Sequence, residues 1–254
     1  MVNPTHRRLA AAVAVPFLLA PTLSGCASDS HGRTKLTVLA AASLTETFGQ
    51  LEQSFEKDHP AVDVVVSFGS SSALAEQVNQ GSPADVIATA DDKSIGLVAD
   101  DGNLSGDPTG FAANTLVVVT PPDNPADISS LDDLAAADFV VCDPSVPCGS
   151  AAQTILDNAG TAATPKSLEA DVKAVLTKVS LGEADAGIVY VTDAEAAGDE
   201  VMTVDIPADV NAVNAYFIAV VKDSGHADLS DEWVSLVMSP AGQGVLAEAG
   251  FGAP

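Results

Sequence analysis

Apolar and polar positions along the chain alternate between two periods. Positions 36–40 read Leu-Thr-Val-Leu-Ala, an apolar run the length of one buried strand, and lead through Ala41 and Ala42 to Ser43. From 44 to 57 the apolar residues Phe48, Leu51 and Phe55 recur at helical spacing, and His59-Pro60 closes that pattern. Positions 62–68 predict a second strand, followed by Gly69-Ser70-Ser71-Ser72 and a helix over 73–80 that stops at Gly81. A strand at 85–89 and a helix over 93–100 complete a βαβαβα order, which predicts a parallel sheet with crossover helices. The alternation continues with strands at 115–120, 139–142 and 186–191, helices over 150–159 and 171–181, and a short helix at 193–197. Strands at 201–206 and 215–221 and helices over 232–238 and 242–249 end the chain; 128–136 reads as a loop and a short helix.

Two α/β lobes fit this order better than one sheet. The first takes 34–113 and 217–254, the second 114–216, with hinges expected near 113–115 and 216–217. In such sheets ligands sit at the C-terminal ends of strands, where helices begin. The turns there carry Ser43, Ser70 to Ser72, Cys148 to Ser150 and Tyr190 to Thr192. Ser43 and Glu46 have capping-box spacing ahead of an apolar helix face. A hydroxyl at a helix start either caps that helix or joins its free amides in holding an anion. Taken singly, Ser71 also reads as a cap, Tyr190 as a strand-end aromatic and Val172 as a helix core residue.

Composition narrows the function. The 254 residues hold 35 acidic and 10 basic side chains, a net charge of −25, which argues against nucleic acid as a partner. Arg7 and Arg8 followed by an apolar run over 9–20 predict a signal peptide at 1–25. Leu23-Ser24-Gly25-Cys26 resembles a bacterial lipobox, so Cys26 is the expected lipidated first mature residue and 26–33 a polar tether. Cleavage removes two arginines and no acid and takes the charge to −27. The expected location is extracytoplasmic, anchored to the outer face of the cell membrane. Export puts Cys142 and Cys148 in an oxidising compartment, and a disulfide is their expected state. A metal site there lacks histidine partners, since His31, His59 and His226 are scattered. No G-x-S-x-G, P-loop or H-E-x-x-H is present, and Asp91-Asp92 and Asp132-Asp133 read as loops or helix starts, so no catalytic residues and no enzyme activity are expected.

Ordered motifs then carry a resemblance over most of the mature chain. They are Ala40-Ala41-Ala42-Ser43-Leu44, Ser67-Phe68-Gly69-Ser70-Ser71-Ser72, Gly81-Ser82-Pro83-Ala84-Asp85, Asp143-Pro144, Val146-Pro147-Cys148-Gly149, Gly187-Ile188-Val189-Tyr190 and Ser239-Pro240-Ala241-Gly242. The chain resembles the extracytoplasmic molybdate-binding proteins of ABC importers. That resemblance implies a two-lobed type II periplasmic-binding-protein fold, each lobe a mainly parallel sheet flanked by helices, with the ligand in the cleft. It implies a molybdate oxyanion, with tungstate as a second ligand, held by neutral donors alone. These are the Ser43 hydroxyl and amide, the Ser71 hydroxyl, the Cys148 and Val172 amides and the Tyr190 hydroxyl. Cys148 stands where the family often has alanine; an amide donor survives that change. Molybdenum would be bound only as its oxyanion, with no direct protein ligand to the metal and no cofactor. The implied partners are ABC permease subunits, and the chain is expected to be a monomer. The chemistry agrees: a dianion needs donors, and hydrogen bonds to an ionised partner are about twice as strong as neutral ones. Hydrogen phosphate carries a proton that needs an acceptor, and leaving it unpaired costs roughly 1–3 kcal/mol. Sulfate or another small anion is the alternative ligand.

Overall fold

The computed structural model describes residues 32–254; the expected signal peptide, Cys26 and most of the tether lie outside them. The first sheet is built from β1 (Thr34–Ala41), α1 (Thr45–Asp58), β2 (Val62–Gly69), α2 (Ser71–Asn79), β3 (Val86–Thr89), α3 (Asp92–Asp100) and β4 (Thr109–Asn114). The chain then crosses to β5 (Leu116–Thr120), β6 (Phe139–Cys142), α4 (Pro147–Ala159), β7 (Ser167–Glu169), α5 (Val172–Ser180), β8 (Ala186–Tyr190), α6 (Val191–Ala197) and β9 (Met202–Val204). It returns as β10 (Asn214–Val220), α7 (Ala227–Met238) and α8 (Pro240–Glu248).

The two sheets repeat one topology. Their strand orders are β2-β1-β3-β10-β4 and β7-β6-β8-β5-β9. Three strands run parallel in each, and one reversed strand, β10 or β5, separates them from the last. Both sheets are therefore mixed, with a parallel half. Burial on both faces explains the continuous apolar runs: Leu36, Val38 and Ala40 of β1 are fully buried, as are Leu116, Val118 and Val119 of β5.

The register differs from the expected boundaries in three places. β4 and β7 were not predicted, because Thr-Gly-Phe-Ala-Ala-Asn and Ser-Leu-Glu carry too little apolar pattern; pairing with β10 and β6 makes them strands. The helix expected from 232 begins at Ala227. The second crossover precedes Asn214, so Ala215, Tyr216 and the hinge expected at 216–217 lie within β10 of the first sheet. The pairing of β10 with β4 is irregular between Tyr216 and Phe217. The first crossover is the single residue Thr115, between β4 and β5.

α7 and α8 close the first lobe. Trp233 meets Phe48 and Phe55 edge-on, with ring centroids 5.7 and 5.6 Å apart. Arg33–Pro254 form one compact unit, so the two sheets pack as parts of one body.

Candidate functional site

The strand-to-helix turns of both lobes meet round one small cavity. Ser43, Ser71, Cys148, Val172 and Tyr190 all line it, with Ala90, Asp171 and the glycine and serines before α2 among their neighbours. The cavity is small, about 20 Å³. The resemblance implied those five residues, which are far apart in sequence; the fold brings all five to one place.

Each is delivered by the start of a helical turn. Ser43 lies in a short 3-10 turn, Ala42–Leu44, between β1 and α1. Ser71 opens α2, Cys148 follows Pro147 in the first turn of α4, Val172 opens α5, and Tyr190 ends β8 directly before α6. First-turn amides have no carbonyl within their own helix. Around them the competing donors are engaged: Gly149 and Ser150 N–H both reach Val146 O, at 3.1 and 3.0 Å, and Ala174 N–H reaches the Asp171 carboxylate at 3.0 Å. Helix starts converging from both lobes give the cavity a positive dipole field without a cationic wall.

Gly149 is required by this packing. A Cβ there would stand 2.0 Å from the Asp143 carbonyl oxygen. The neighbouring loop is closed by the Cys142–Cys148 disulfide.

The capping box expected from Ser43 and Glu46 does not form. α1 starts at Thr45 with Leu44 as its cap residue and no side-chain cap. The Ser43 hydroxyl pairs instead with the Tyr216 hydroxyl at 2.8 Å. Glu46 reaches across the cleft to Lys173, whose Nζ lies 2.9 Å from both carboxylate oxygens. A capping box does form at Ser130 and Asp133. Asp91 caps α3 through Ser94 N–H, so the acidic pairs are helix starts.

Below the cavity wall lies a polar layer that sequence reasoning missed. Ala90 N–H donates to the Ser71 hydroxyl at 2.9 Å. Asn214 Nδ2 donates to Ala90 O at 2.8 Å and to the Tyr190 hydroxyl at 3.1 Å. Asn114 Nδ2 donates to Thr192 Oγ1 at 2.8 Å. Burial pushes the Tyr190 and Tyr216 hydroxyls up from the ordinary tyrosine value, so both stay neutral at physiological pH. No motif marks these asparagines; their position at the sheet ends flanking the crossovers is the only signal.

One further contact joins the lobes. Ser72 Oγ donates to Ser145 O at 2.8 Å. Lys173 Nζ also stands 2.9 Å from Asp193 Oδ1, yet neither oxygen of that fully buried carboxylate has an aligned hydrogen bond, so this is an ion pair alone. Burial pushes Asp193 up to about 6 even though Lys173 opposes it. Burial also weighs against the Lys173 charge, but Asp193 and Glu46 outweigh it and raise its pKa.

Comparison with known proteins places this geometry. The model for the bacterial extracellular solute-binding proteins matches residues 36–252. The molybdate-binding protein ModA of Mycobacterium tuberculosis is 42% identical over 233 residues, covering 91% of this chain and 89% of that protein. Among solved structures, the periplasmic molybdate-binding protein of Azotobacter vinelandii superposes with a TM-score of 0.76 at 21% identity, over 86% of this chain and 99% of that one. The sulfate-binding protein SubI from Mycobacterium tuberculosis gives 0.74 at 21% identity, over 86% of each chain. These two structures share the two-lobed fold, that of type II periplasmic binding proteins. By the match over 36–252 and the likeness to the molybdate-binding protein ModA, the chain belongs to the bacterial extracellular solute-binding proteins, the family that includes the molybdate-binding proteins.

Proposed function

We propose that this chain captures molybdate in the extracytoplasmic space and delivers it to the membrane permease of an ABC importer. Ser43, Ser71 and Tyr190 donate hydroxyl protons to the anion, and Ser43, Cys148 and Val172 donate amides. Tungstate, of the same shape and charge, is the second ligand. The observation that carries this reading is the convergence of these five residues, from turns of both lobes, on one small cavity. The likeness to the molybdate-binding protein ModA, over nine-tenths of both chains, supports it. Lipid attachment at Cys26 holds the receptor near the permease, and the protein acts as a monomer that binds without catalysis. The surrounding charge of −25 does not prevent capture. Salt screens exposed charges beyond about 8–10 Å, whereas the donors act at contact.

A second reading, sulfate capture, is favoured by the SubI likeness and by chemistry, since hydroxyls and helix-start amides serve any fully ionised tetrahedral dianion. Calorimetry with molybdate, tungstate, sulfate and phosphate decides. The expected result is tight binding of the first two and none of phosphate; binding of sulfate alone would overturn the molybdate reading. Ser43→Ala is expected to weaken molybdate binding by about 1.5–3 kcal/mol, the scale of a hydrogen bond to a charged group. Unchanged affinity would remove Ser43 from the site.

A further inference from the structure

A hydroxyl lining an anion cavity helps only if its proton points inward. A serine or tyrosine oxygen is both donor and acceptor, and a rotated hydroxyl turns a lone pair toward the anion. What fixes the direction is the partner on the far side.

At Tyr190 that partner is determined. Asn214 Nδ2 lies 2.8 Å from Ala90 O, and a carbonyl oxygen only accepts. The amide cannot be flipped without setting two carbonyl oxygens against each other. The atom 3.1 Å from the Tyr190 hydroxyl is therefore the same NH2 group, a donor. The Tyr190 oxygen accepts there, so its own proton is not spent on Asn214. Ala90 does the same for Ser71 through its N–H, at 2.9 Å. One residue at the end of β3 thus orients hydroxyls of both lobes, directly at Ser71 and through Asn214 at Tyr190. Ser43 differs, because its partner is the Tyr216 hydroxyl and either oxygen can donate.

We infer that Asn214 is a positioning and specificity-determining residue of the anion site, locking Tyr190 as a donor by anchoring its own amide on Ala90. It sits at the start of β10 in the first lobe, whereas Tyr190 belongs to the second, so the lock forms only when the lobes meet. It also sets selectivity. With Tyr190 and Ser71 held as donors, a ligand that carries its own proton finds no acceptor in either. This rests on the oxyanion reading proposed above.

A double-mutant cycle tests it, using molybdate and phosphate as probes and the full chain. Asn214→Leu is expected to weaken molybdate binding about tenfold, the scale on which supporting hydrogen bonds tune a ligand group. In a Tyr190→Phe background, which has no hydroxyl to orient, the same change is expected to cost less than about twofold, the limit of independence. In a Ser43→Ala background it is expected to keep its full tenfold effect. The ratio of molybdate to hydrogen-phosphate affinity is expected to fall in Asn214→Leu, since Tyr190 is then free to accept. Losses of equal size in all three backgrounds, with an unchanged ratio, would overturn the inference and leave Asn214 a structural residue. If Asn214→Leu does not fold, as its melting transition reports, Asn214→Ala, which leaves room for water at Ala90 O, is cycled in its place. An unaltered chain that binds none of the four anions overturns the oxyanion reading itself; one that binds them but gives equal losses overturns only the role of Asn214.

Discussion

Lys173 is a residue outside the five proposed donors whose loss the structure makes costly. It sits one position after Val172, with a quarter of its side chain exposed, and holds two carboxylates at 2.9 Å: Glu46 across the cleft and Asp193 within its own lobe. The two pairs are unequal. The Glu46 side chain is 44% exposed, so Glu46→Gln is expected to cost about 0.5 kcal/mol. Asp193 is fully buried, and Lys173→Met leaves it without its counter-charge. Breaking a buried pair from one side costs about 3–5 kcal/mol. For a domain of this size that corresponds to a fall in melting temperature of about 6–20 °C. The charge has one escape, which is to take up a proton. Asp193 already titrates near 6, against 3.8 for an ordinary aspartate, and losing Lys173 moves it higher. An acid whose folded pKa is raised binds more protons folded than unfolded, so its stability contribution falls as pH rises through the interval between the two values. In Lys173→Met that interval widens upward. Melting followed by circular dichroism across this range is expected to show a large deficit at neutral pH that narrows toward about pH 5. Adding Asp193→Asn removes the stranded charge and is expected to recover most of the loss. A deficit independent of pH, or one that Asp193→Asn leaves untouched, would refute the ion-pair argument and point to lost packing of the lysine stem.

Two further predictions concern the loop that carries the Cys148 amide. Gly149→Ala sets a Cβ 2.0 Å from Asp143 O and 2.6 Å from Cys142 O, backbone atoms that cannot rotate away, so the first turn of α4 must shift. The expected cost is about 2–4 kcal/mol, with weaker molybdate binding; unchanged melting and affinity would show that the turn relaxes freely. Replacing Cys142 and Cys148 by alanine is expected to cost about 2 kcal/mol, as its short loop allows. Affinity should stay within about threefold, because the turn is also held by the Gly149 and Ser150 bonds to Val146 O. A tenfold loss of affinity would make the bridge part of the site's geometry.

The legible parts of this molecule are those where local pattern and tertiary environment agree. Strands buried on both faces, such as β1 and β5, announce themselves as apolar runs because no solvent face interrupts them. Ser43, Ser71, Cys148 and Tyr190 lie in strand-to-helix turns that the alternation marks, whereas Val172 was singled out only by the family resemblance, because on pattern alone it reads as a helix core residue. β7 stayed hidden because its three residues are all partly exposed and only pairing with β6 extends them. Asn214 and Asn114 stayed hidden for a different reason. They act on other side chains, through contacts with Tyr190 and Thr192 that are 24 and 78 positions away in sequence. The crossover was misplaced by the same kind of effect: Tyr216 looked like the end of a lobe, but its ring belongs to the first lobe's core beside Phe111 and Phe251.

The Ser-x-x-Glu at 43–46 brings local grammar and tertiary partners into direct competition. An identical three-residue spacing, Ser130 to Asp133, closes on itself because both partners lie on the surface with no stronger claimant. At Ser43 and Glu46 each side chain has a better offer from a distance: a buried hydroxyl 173 positions away, and an ammonium group 127 positions away on the other lobe. A cap is worth about 1 kcal/mol, the same scale as a neutral hydrogen bond, so local spacing alone does not decide the pairing. Leaving the start of α1 uncapped by any side chain keeps the Ser43 amide and hydroxyl available at the cavity, while Glu46, one turn further on, clasps the lobe that brings Cys148, Val172 and Tyr190. The motif thus divides its two residues between the cavity and the contact that joins the lobes, and any ligand that draws Ser43 into its shell acts on the same helix start that carries the clasp.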